Sequence, residues 1–404
     1  MLSYEYLGFR PFFSSMSVTE SSLVISDLQD IVSFRQHMHR YPELSGQEAN
    51  TSHTIRQFVK RYEPAEVISE LGGTGIAVIF NGNDPGGPTL LFRAELDALP
   101  IVETNELSYT SITPGISHKC GHDGHMAILI GLGSLLHRYP LQTGKVILLF
   151  QPAEETGAGA WAVLQEERFR ELNPDYVFAL HNMPGLPLNQ VLLREQTFTA
   201  ASVGLKIYLT GKESHAAEPE NGLNPGEGMG ELIQLLNALV KDQGHFQDLA
   251  LLTVIHARLG EVAFGTNPGF ATVMATLRAF EQEDLEKLKA LAIDSVKAVS
   301  DKHGIRYSYE FVEEFPATVN ASAAVSVVAA AAEDLKLDVQ QAVQPVRWSE
   351  DFGHFTQAYT GALFGLGAGK EQPQLHHADY DFPDELIPAG SSLFYRIAQR
   401  ILNT

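Results

Sequence analysis

The sequence has almost no cysteine, no long apolar run and few basic residues for its size. Cys120 is the single cysteine among 404 residues, so an intrachain disulfide framework and a CxxC metal or redox site are both excluded. No stretch approaches the roughly 18 consecutive apolar residues that a membrane-spanning helix needs. Because a chain without disulfides fits a reducing compartment, we expect a cytoplasmic protein.

Basic residues are outnumbered by acidic ones. Lys and Arg total 28 and Asp and Glu total 49, which gives a formal net charge of −21. Such a chain is repelled by phosphate backbones and anionic lipid, so we expect neither nucleic acid nor a membrane surface as a partner. The first 16 residues lack the apolar run of a signal peptide, and we expect residues 1–20 to form a flexible extension.

The remaining composition is typical of a globular protein with two or three domains, since 44% of the residues are hydrophobic and 19% are charged. Residues 145–150 (KVILLF) and 176–180 (YVFAL) are continuous apolar runs, which are typical of strands covered on both faces. Strands of this kind alternate with helical patterns such as the apolar segment 126–136. The pattern predicts an α/β fold around a mostly parallel sheet.

The middle of the chain has a different pattern. Its order is strand, helix, two strands, helix and strand, which predicts an α+β unit. The α/β pattern resumes after it and ends in a helix near residues 391–402. The sequence therefore predicts one domain formed by residues 21–199 and 315–404, interrupted by a smaller domain formed by residues 200–314.

Potential metal ligands occur in four segments. They are CGHDGH at 120–125, QPAEE at 151–155, His181 in LHNMPG, and His376 with His377 in LHHAD. Glu154 and Glu155 directly follow one buried strand and His181 follows another, so the carboxyl ends of these strands should bring them to one edge of the sheet. The alternative is that the two glutamates are solvated loop acids.

The types of the potential ligands indicate which metal ions they would bind. Thiolate, imidazole and carboxylate together suit a divalent metal such as Zn, Mn, Co or Ni better than Ca or Mg. A competing interpretation makes Cys120 a nucleophile with His122 or His125 as its base. That interpretation leaves the glutamate pair and His376 without roles, so we favour a metal centre.

Several motifs together resemble a known family. RAELDALPIVE, KCGHDGHMA, QPAEE, HNMPG, SHAAEP and LHH are similar to the cysteine-containing branch of the binuclear metallo-aminoacylases and carboxypeptidases. That branch includes hippurate hydrolases and indole-acetyl amino acid hydrolases. HRYPELSGQE and SEDF also match, so the resemblance spans about residues 28–402.

The resemblance implies a role for each matching residue. Cys120 would bridge two divalent metal ions, and the remaining ligands would be His122, Glu155, His181 and His376. Glu154 would be the general base for a metal-activated water, and Asp97 would orient a ligand. The smaller domain would be a satellite or dimerisation domain, from which His215 would reach a neighbouring active site and help to stabilise the oxyanion.

The implied activity is hydrolysis of the amide bond of N-acyl amino acids or related small amides by a homodimer. A carboxypeptidase or dipeptidase would share the same chemistry, and a non-catalytic binding protein of the same fold is a third hypothesis. The sequence departs from the family at Glu95, at Glu220 and at GTNPG (265–269). The last two changes lie in the substrate-recognising domain, and His377 remains an alternative ligand to His376.

Overall fold

A computed structural model describes residues 23–403. The extension expected at residues 1–20 lies outside the described residues. Within 23–403, no helix combines the length and the apolar character that a membrane crossing requires.

The secondary structure begins and ends as follows. The helices are α1 (Ile25–Arg40), α2 (Ala49–Val59), α3 (His122–Arg138), α4 (Gly159–Gln165), α5 (Glu167–Arg170), α6 (Gly226–Leu239), α7 (Gln282–His303), α8 (Ser322–Asp334), α9 (Gly353–Ala358) and α10 (Leu386–Leu402). The strands are β1 (Glu66–Leu71), β2 (Gly75–Asn81), β3 (Asp84–Glu95), β4 (Thr143–Gln151), β5 (Tyr176–Pro184), β6 (Val191–Leu193), β7 (Gln196–Thr199), β8 (Ala201–Thr210), β9 (Ser214–His215), β10 (Ala250–Leu259), β11 (Thr266–Asn267), β12 (Phe270–Ala279), β13 (Arg306–Phe315), β14 (Thr318–Asn320), β15 (Val339–Gln341) and β16 (Thr360–Gly369).

The larger domain contains an eight-stranded sheet in the order β1-β2-β4-β3-β5-β16-β6-β15. The four central strands, β4, β3, β5 and β16, pair in parallel, whereas β1 and β2 join the sheet antiparallel. Parallel strands have their carboxyl ends on the same side of a sheet, so the connections that follow these four neighbouring strands all begin on that side.

Helices cover both faces of the sheet. On one face α3 packs against α1 and α10, and its residues from His122 to Leu136 are all buried. The aromatic ring of Phe92 from β3 lies between Phe178 of β5 and Phe394 of α10, with ring centroids 5.6 and 4.9 Å apart. Helices α4, α5 and α9 pack on the other face. Burial on both faces explains why these strands are continuous apolar runs in the sequence.

The smaller domain has its own four-stranded sheet, in the order β10-β12-β8-β13, and its own core. Alternate residues of β8, such as Val203, Leu205 and Ile207, are buried against helices α6 and α7. The opposite face of the sheet carries more polar residues, such as Lys206. The predicted fold class is therefore confirmed: a mostly parallel α/β domain with a separate smaller α+β domain. The exact domain boundaries stay a prediction.

Candidate metal centre

The carboxyl ends of the central strands carry the predicted site residues. Strand β3 leads into Asp97, β4 leads into Glu154 and Glu155, and His181 lies in the carboxyl-terminal half of β5. The connection after β16 contains His376. The parallel order of these strands thus brings together segments that are up to about 280 residues apart in the chain.

Two glycines shape the segment that contains Cys120 and His122. Gly121 has a φ of +93°, and a Cβ at this position would lie 2.8 Å from the Asn182 side chain. A Cβ at Gly124 would lie 2.3 Å from the ring of Phe382. Glycine fits both positions, because a side chain at Gly121 would collide with β5 and a side chain at Gly124 would collide with the Phe382 ring.

The five predicted ligands form two groups that share Cys120. The ligand atoms of Cys120, His122 and His181 lie within 4.8 Å of one another, and so do those of Cys120, Glu155 and His376. The Cys120 Sγ lies 3.5 Å from His181 Nε2, and His376 Nε2 lies 3.8 Å from Glu155 Oε1. Each group contains an imidazole, and the cysteine sulfur common to both groups could be a ligand of two adjacent metal ions.

The donor set fits divalent metal ions. His122 Nε2 and Glu155 Oε1 are buried and have no hydrogen-bond partner among residues 23–403. The other ring nitrogen of His122, Nδ1, donates to the backbone oxygen of Asp97 at 2.8 Å, which leaves Nε2 as the ring nitrogen that could bind a metal. The Asp97 carboxylate accepts hydrogen bonds from Ser45 Oγ at 2.7 Å and from the Glu155 backbone N at 2.9 Å. Asp97 therefore supports two of the predicted ligands.

The pKa values of three predicted ligands are raised above their usual values, whereas burial lowers those of His181 and His376. Burial, reinforced by the charges of Glu155 and Glu154, raises the pKa of the Cys120 thiol well above its usual value. Burial also raises the pKa of Glu155 to about 7. Burial lowers the pKa of His122, but the hydrogen bond to Asp97 and the nearby carboxylates outweigh it and raise that pKa to about 10. Without a metal these groups hold protons, so a bound cation would replace protons.

Glu154 lies close to His122 and Glu155 and also belongs to an acidic group with Glu350 and Asp351. Burial, followed by repulsion from Glu350 and Glu155, raises the pKa of Glu154 well above its usual value. The buried guanidinium of Arg93 opposes this by donating to Glu350 at 2.8 Å and to Asp351 at 2.6 Å. A carboxyl group with a raised pKa can accept a proton and return it near neutral pH.

A cavity of about 340 Å³ opens on the site. Its apolar lining residues are Met183, Pro184, Phe315, Trp348 and Leu375. Cys120, both glutamates, His181 and His376 also line it, together with Glu350. The cavity thus combines an apolar wall with a polar floor that could hold metal.

The structure distinguishes His376 from its neighbour, because His376 lines the cavity whereas His377 does not belong to any of the candidate ligand groups among the described residues. The backbone N of His376 donates to the backbone oxygen of Lys119 at 2.8 Å, next to Cys120. His215 is not brought to this cavity: it lies exposed in β9, which pairs with β11 on the smaller domain.

Two residues at the site, Glu350 and Glu95, have no role that the sequence predicted. Glu350 of the SEDF motif lines the cavity beside Glu154, although nearly 200 residues separate them. Glu95, one of the departures from the family pattern, contacts Arg93 and lies 2.7 Å from His125 Nδ1. The motif itself was the only sequence signal for Glu350, since the contacts that give it meaning are formed by folding.

Comparisons with known proteins find several that are similar to this chain. The sequence model of peptidase family M20/M25/M40 matches residues 91–400. An N-acetyl-L-cysteine deacetylase from Bacillus subtilis is 31% identical over 377 residues, covering 93% of this chain and 89% of the relative. An IAA-amino acid hydrolase (ILR1-like 5) from Arabidopsis thaliana is 32% identical over 391 residues, covering 92% and 86%. The crystal structure of a dinuclear metal-binding peptidase of the M20 family from Bacillus subtilis superposes with a TM-score of 0.78 at 26% identity, covering 94% of this chain and 99% of that one.

Proposed function

Since the chain belongs to peptidase family M20/M25/M40 and is therefore a metal-dependent hydrolase of carbon–nitrogen bonds, we propose that it releases amino acids from N-acyl amino acids or related small amides. The observation that carries the proposal is the pair of ligand groups that share Cys120 at the floor of the cavity. Two relatives that cover most of the chain are named for the hydrolysis of N-acetylcysteine and of IAA-amino acids, which supports this substrate class.

We assign two divalent metal ions to this centre. His122 and His181 would hold one ion and Glu155 and His376 the other, with Cys120 shared between them. Bound there, the ions would polarise the scissile carbonyl and lower the pKa of water toward about 7. The ligand types favour Zn, Mn, Co or Ni. A thiolate ligand must remain reduced, which agrees with the cytoplasmic location we propose.

Glu154 is the proposed general base. It precedes Glu155 in the chain, lies 3.9 Å from His122 Nε2 through its own Oε2, and lines the cavity. It would accept the proton of the attacking water and deliver it to the leaving nitrogen, which a carboxyl group with a raised pKa can do in both directions.

The apolar wall indicates how a substrate would lie. Trp348, Phe315 and Leu375 can bury an acyl group while the amide faces Glu154 and the ligand groups. Shape and apolar contact would then select the acyl group, and the polar floor would select the bond that is cleaved.

We further propose a homodimer formed through the smaller domain. Strand β10 is an edge of its sheet, Ile255 on that strand is exposed, and Val262 and Phe264 in the following loop are fully exposed. A second copy that covers this surface would bury apolar area, and it would give His215 a partner's active site to approach. Phe264→Asp should then shift the sedimentation coefficient from that of a dimer to that of a monomer, whereas an active wild-type monomer would contradict the assembly.

The Glu154→Gln variant tests the proposed mechanism. We expect turnover of N-acyl amino acids to fall by roughly 10²–10⁴-fold, because the proton acceptor is lost, while the metal content stays at two per chain. Glu171→Gln is the matched control, since Glu171 is exposed and does not line the cavity. Full activity in Glu154→Gln would contradict the assignment of the base. A panel of N-acetyl, N-benzoyl and indole-acetyl amino acids, together with dipeptides, separates the acylase from a peptidase.

A further inference from the structure

A buried chain of charged side chains joins the segments on either side of the metal centre. It consists of Lys119, Glu103, His39 and Asp123, and we call it the anchor chain. Lys119 precedes Cys120 in the sequence, and Asp123 follows His122. None of its members belongs to the two ligand groups that share Cys120.

Lys119 is hydrogen-bonded to both ends of the 376–380 turn. Its backbone oxygen accepts from the His376 backbone N at 2.8 Å. Its ammonium Nζ donates to the backbone oxygen of Tyr380 at 2.7 Å, to Glu103 at 2.6 Å and to Asn105 at 3.3 Å. All three hydrogens of the ammonium group therefore have acceptors, and one of them fixes the far end of the turn.

The turn needs such support. His376 has a φ of +65°, a left-handed conformation that is uncommon for a residue with a side chain. The His376 side chain is about half exposed, so packing alone does not hold the imidazole against Glu155. The contacts of Lys119 supply a constraint that the imidazole itself lacks.

The remaining members of the anchor chain neutralise and fix Lys119. Glu103 accepts from Lys119 and lies 2.9 Å from His39 Nε2, while His39 Nδ1 lies 2.9 Å from Asp123 Oδ2. A histidine between two carboxylates donates from both nitrogens and is therefore cationic. Lys119 and His39 are completely buried, and a buried charge persists only where it is paired in this way.

We propose that Lys119 is a positioning residue whose ammonium group holds the 376–380 turn so that His376 completes the metal-binding group with Cys120 and Glu155. The inference rests on the dinuclear centre of the proposed function. Lys119 would support the binding of only one of the two metal ions, the one held by His376. The ligands of the other ion, His122 and His181, are held independently by the Asp97 and Asn182 backbone oxygens. Loss of the ammonium group should therefore affect the two ions unequally.

The test is Lys119→Met, which removes the ammonium group, keeps an unbranched side chain one atom shorter than lysine, and keeps the backbone hydrogen bond from His376. Metal content and stepwise metal affinities are measured by elemental analysis and by competition with a chelator. We expect one ion to keep its affinity and the other to bind about 10–100-fold more weakly, the usual effect of removing support for a ligand. Lys289→Met is the matched control, since Lys289 is a partly buried, ion-paired lysine on the smaller domain.

Two further variants show whether Lys119 acts through His376. His376→Ala should weaken the same ion, and the double variant should lose no more affinity than His376→Ala alone. If Lys119→Met does not fold, Glu103→Gln removes the paired charge with little change of shape and should weaken the same ion about tenfold.

The outcomes separate the inference from the proposed function. Fewer than two bound metals in the wild-type protein would overturn the dinuclear centre itself. Two metals with unchanged affinities in Lys119→Met, or an equal weakening of both, would overturn the positioning role alone. Additive losses in the double variant would overturn it as well.

Discussion

The charge on His39 should make the stability of the protein depend on pH. His39 is completely buried in α1, between Asp123 and Glu103. Burial lowers its pKa, but the hydrogen bonds to the two carboxylates outweigh burial and raise that pKa from 6.5 to about 9. The folded state therefore holds a proton that the unfolded chain releases above about pH 6.5.

The magnitude and the sign follow from this shift. Each pKa unit corresponds to about 1.4 kcal/mol, so a shift from 6.5 to about 9 contributes about 3 kcal/mol to the free energy of unfolding. Because the folded pKa is the higher one, the contribution is fully present below about pH 6.5. It decreases as the pH rises and is lost above about pH 9.

The assay compares the wild type with His39→Gln in the metal-free state. The free energy of unfolding is measured by urea denaturation between pH 6 and pH 10, and the difference between the two proteins should shrink by about 3 kcal/mol across that range. His37→Gln is the matched control, since His37 is exposed on the same helix. A difference that does not change with pH, or an imidazole NMR titration of His39 near pH 6.5, would refute the reasoning.

Three other predictions test the site and the core. Asp97→Asn should weaken metal binding about 10–100-fold in a chelator competition, because the carboxylate accepts from the Glu155 backbone N and lies 3.5 Å from His122 Nδ1. Ser45→Ala, which removes one donor to that carboxylate, should have a smaller effect, and an unchanged metal affinity in Asp97→Asn would contradict the supporting role. His376→Ala should lose one of two metals in elemental analysis and His377→Ala neither, and the reverse would reassign the ligand. Phe92→Ala should lower the free energy of unfolding by about 3–5 kcal/mol in urea, because the ring is fully buried among aromatic side chains, and a loss below 1 kcal/mol would contradict that packing.

The ligand segments were predictable because each one is attached to a strongly patterned element. The runs 145–150 and 176–180 read as buried strands, and they lie within β4 and β5, which lead into Glu154 and contain His181. Helix α3 was harder to delimit. The apolar pattern predicted its start at residue 126, but it begins at His122, because the left-handed Gly121 allows a polar segment to form the first turn.

The supporting contacts were not predictable from the pattern. Arg93 contacts Glu350 and Asp351 across more than 250 residues, and Lys119 contacts Tyr380 across 261. No local periodicity connects such pairs, since they become neighbours only when the sheet edge is assembled. The sequence therefore indicated which residues could bind metal, whereas the structure was needed to identify what holds them in place.

Removal and return of metal tests the central claim most directly. The protein is stripped with a chelator, and hydrolysis of the N-acyl amino acid panel is followed as Zn, Mn, Co or Ni is added back. We expect the stripped protein to be inactive, and we expect about two equivalents of at least one of these ions to restore amide hydrolysis. Full activity of the metal-free protein, or no hydrolysis of any amide in the panel after two ions have bound, would contradict it.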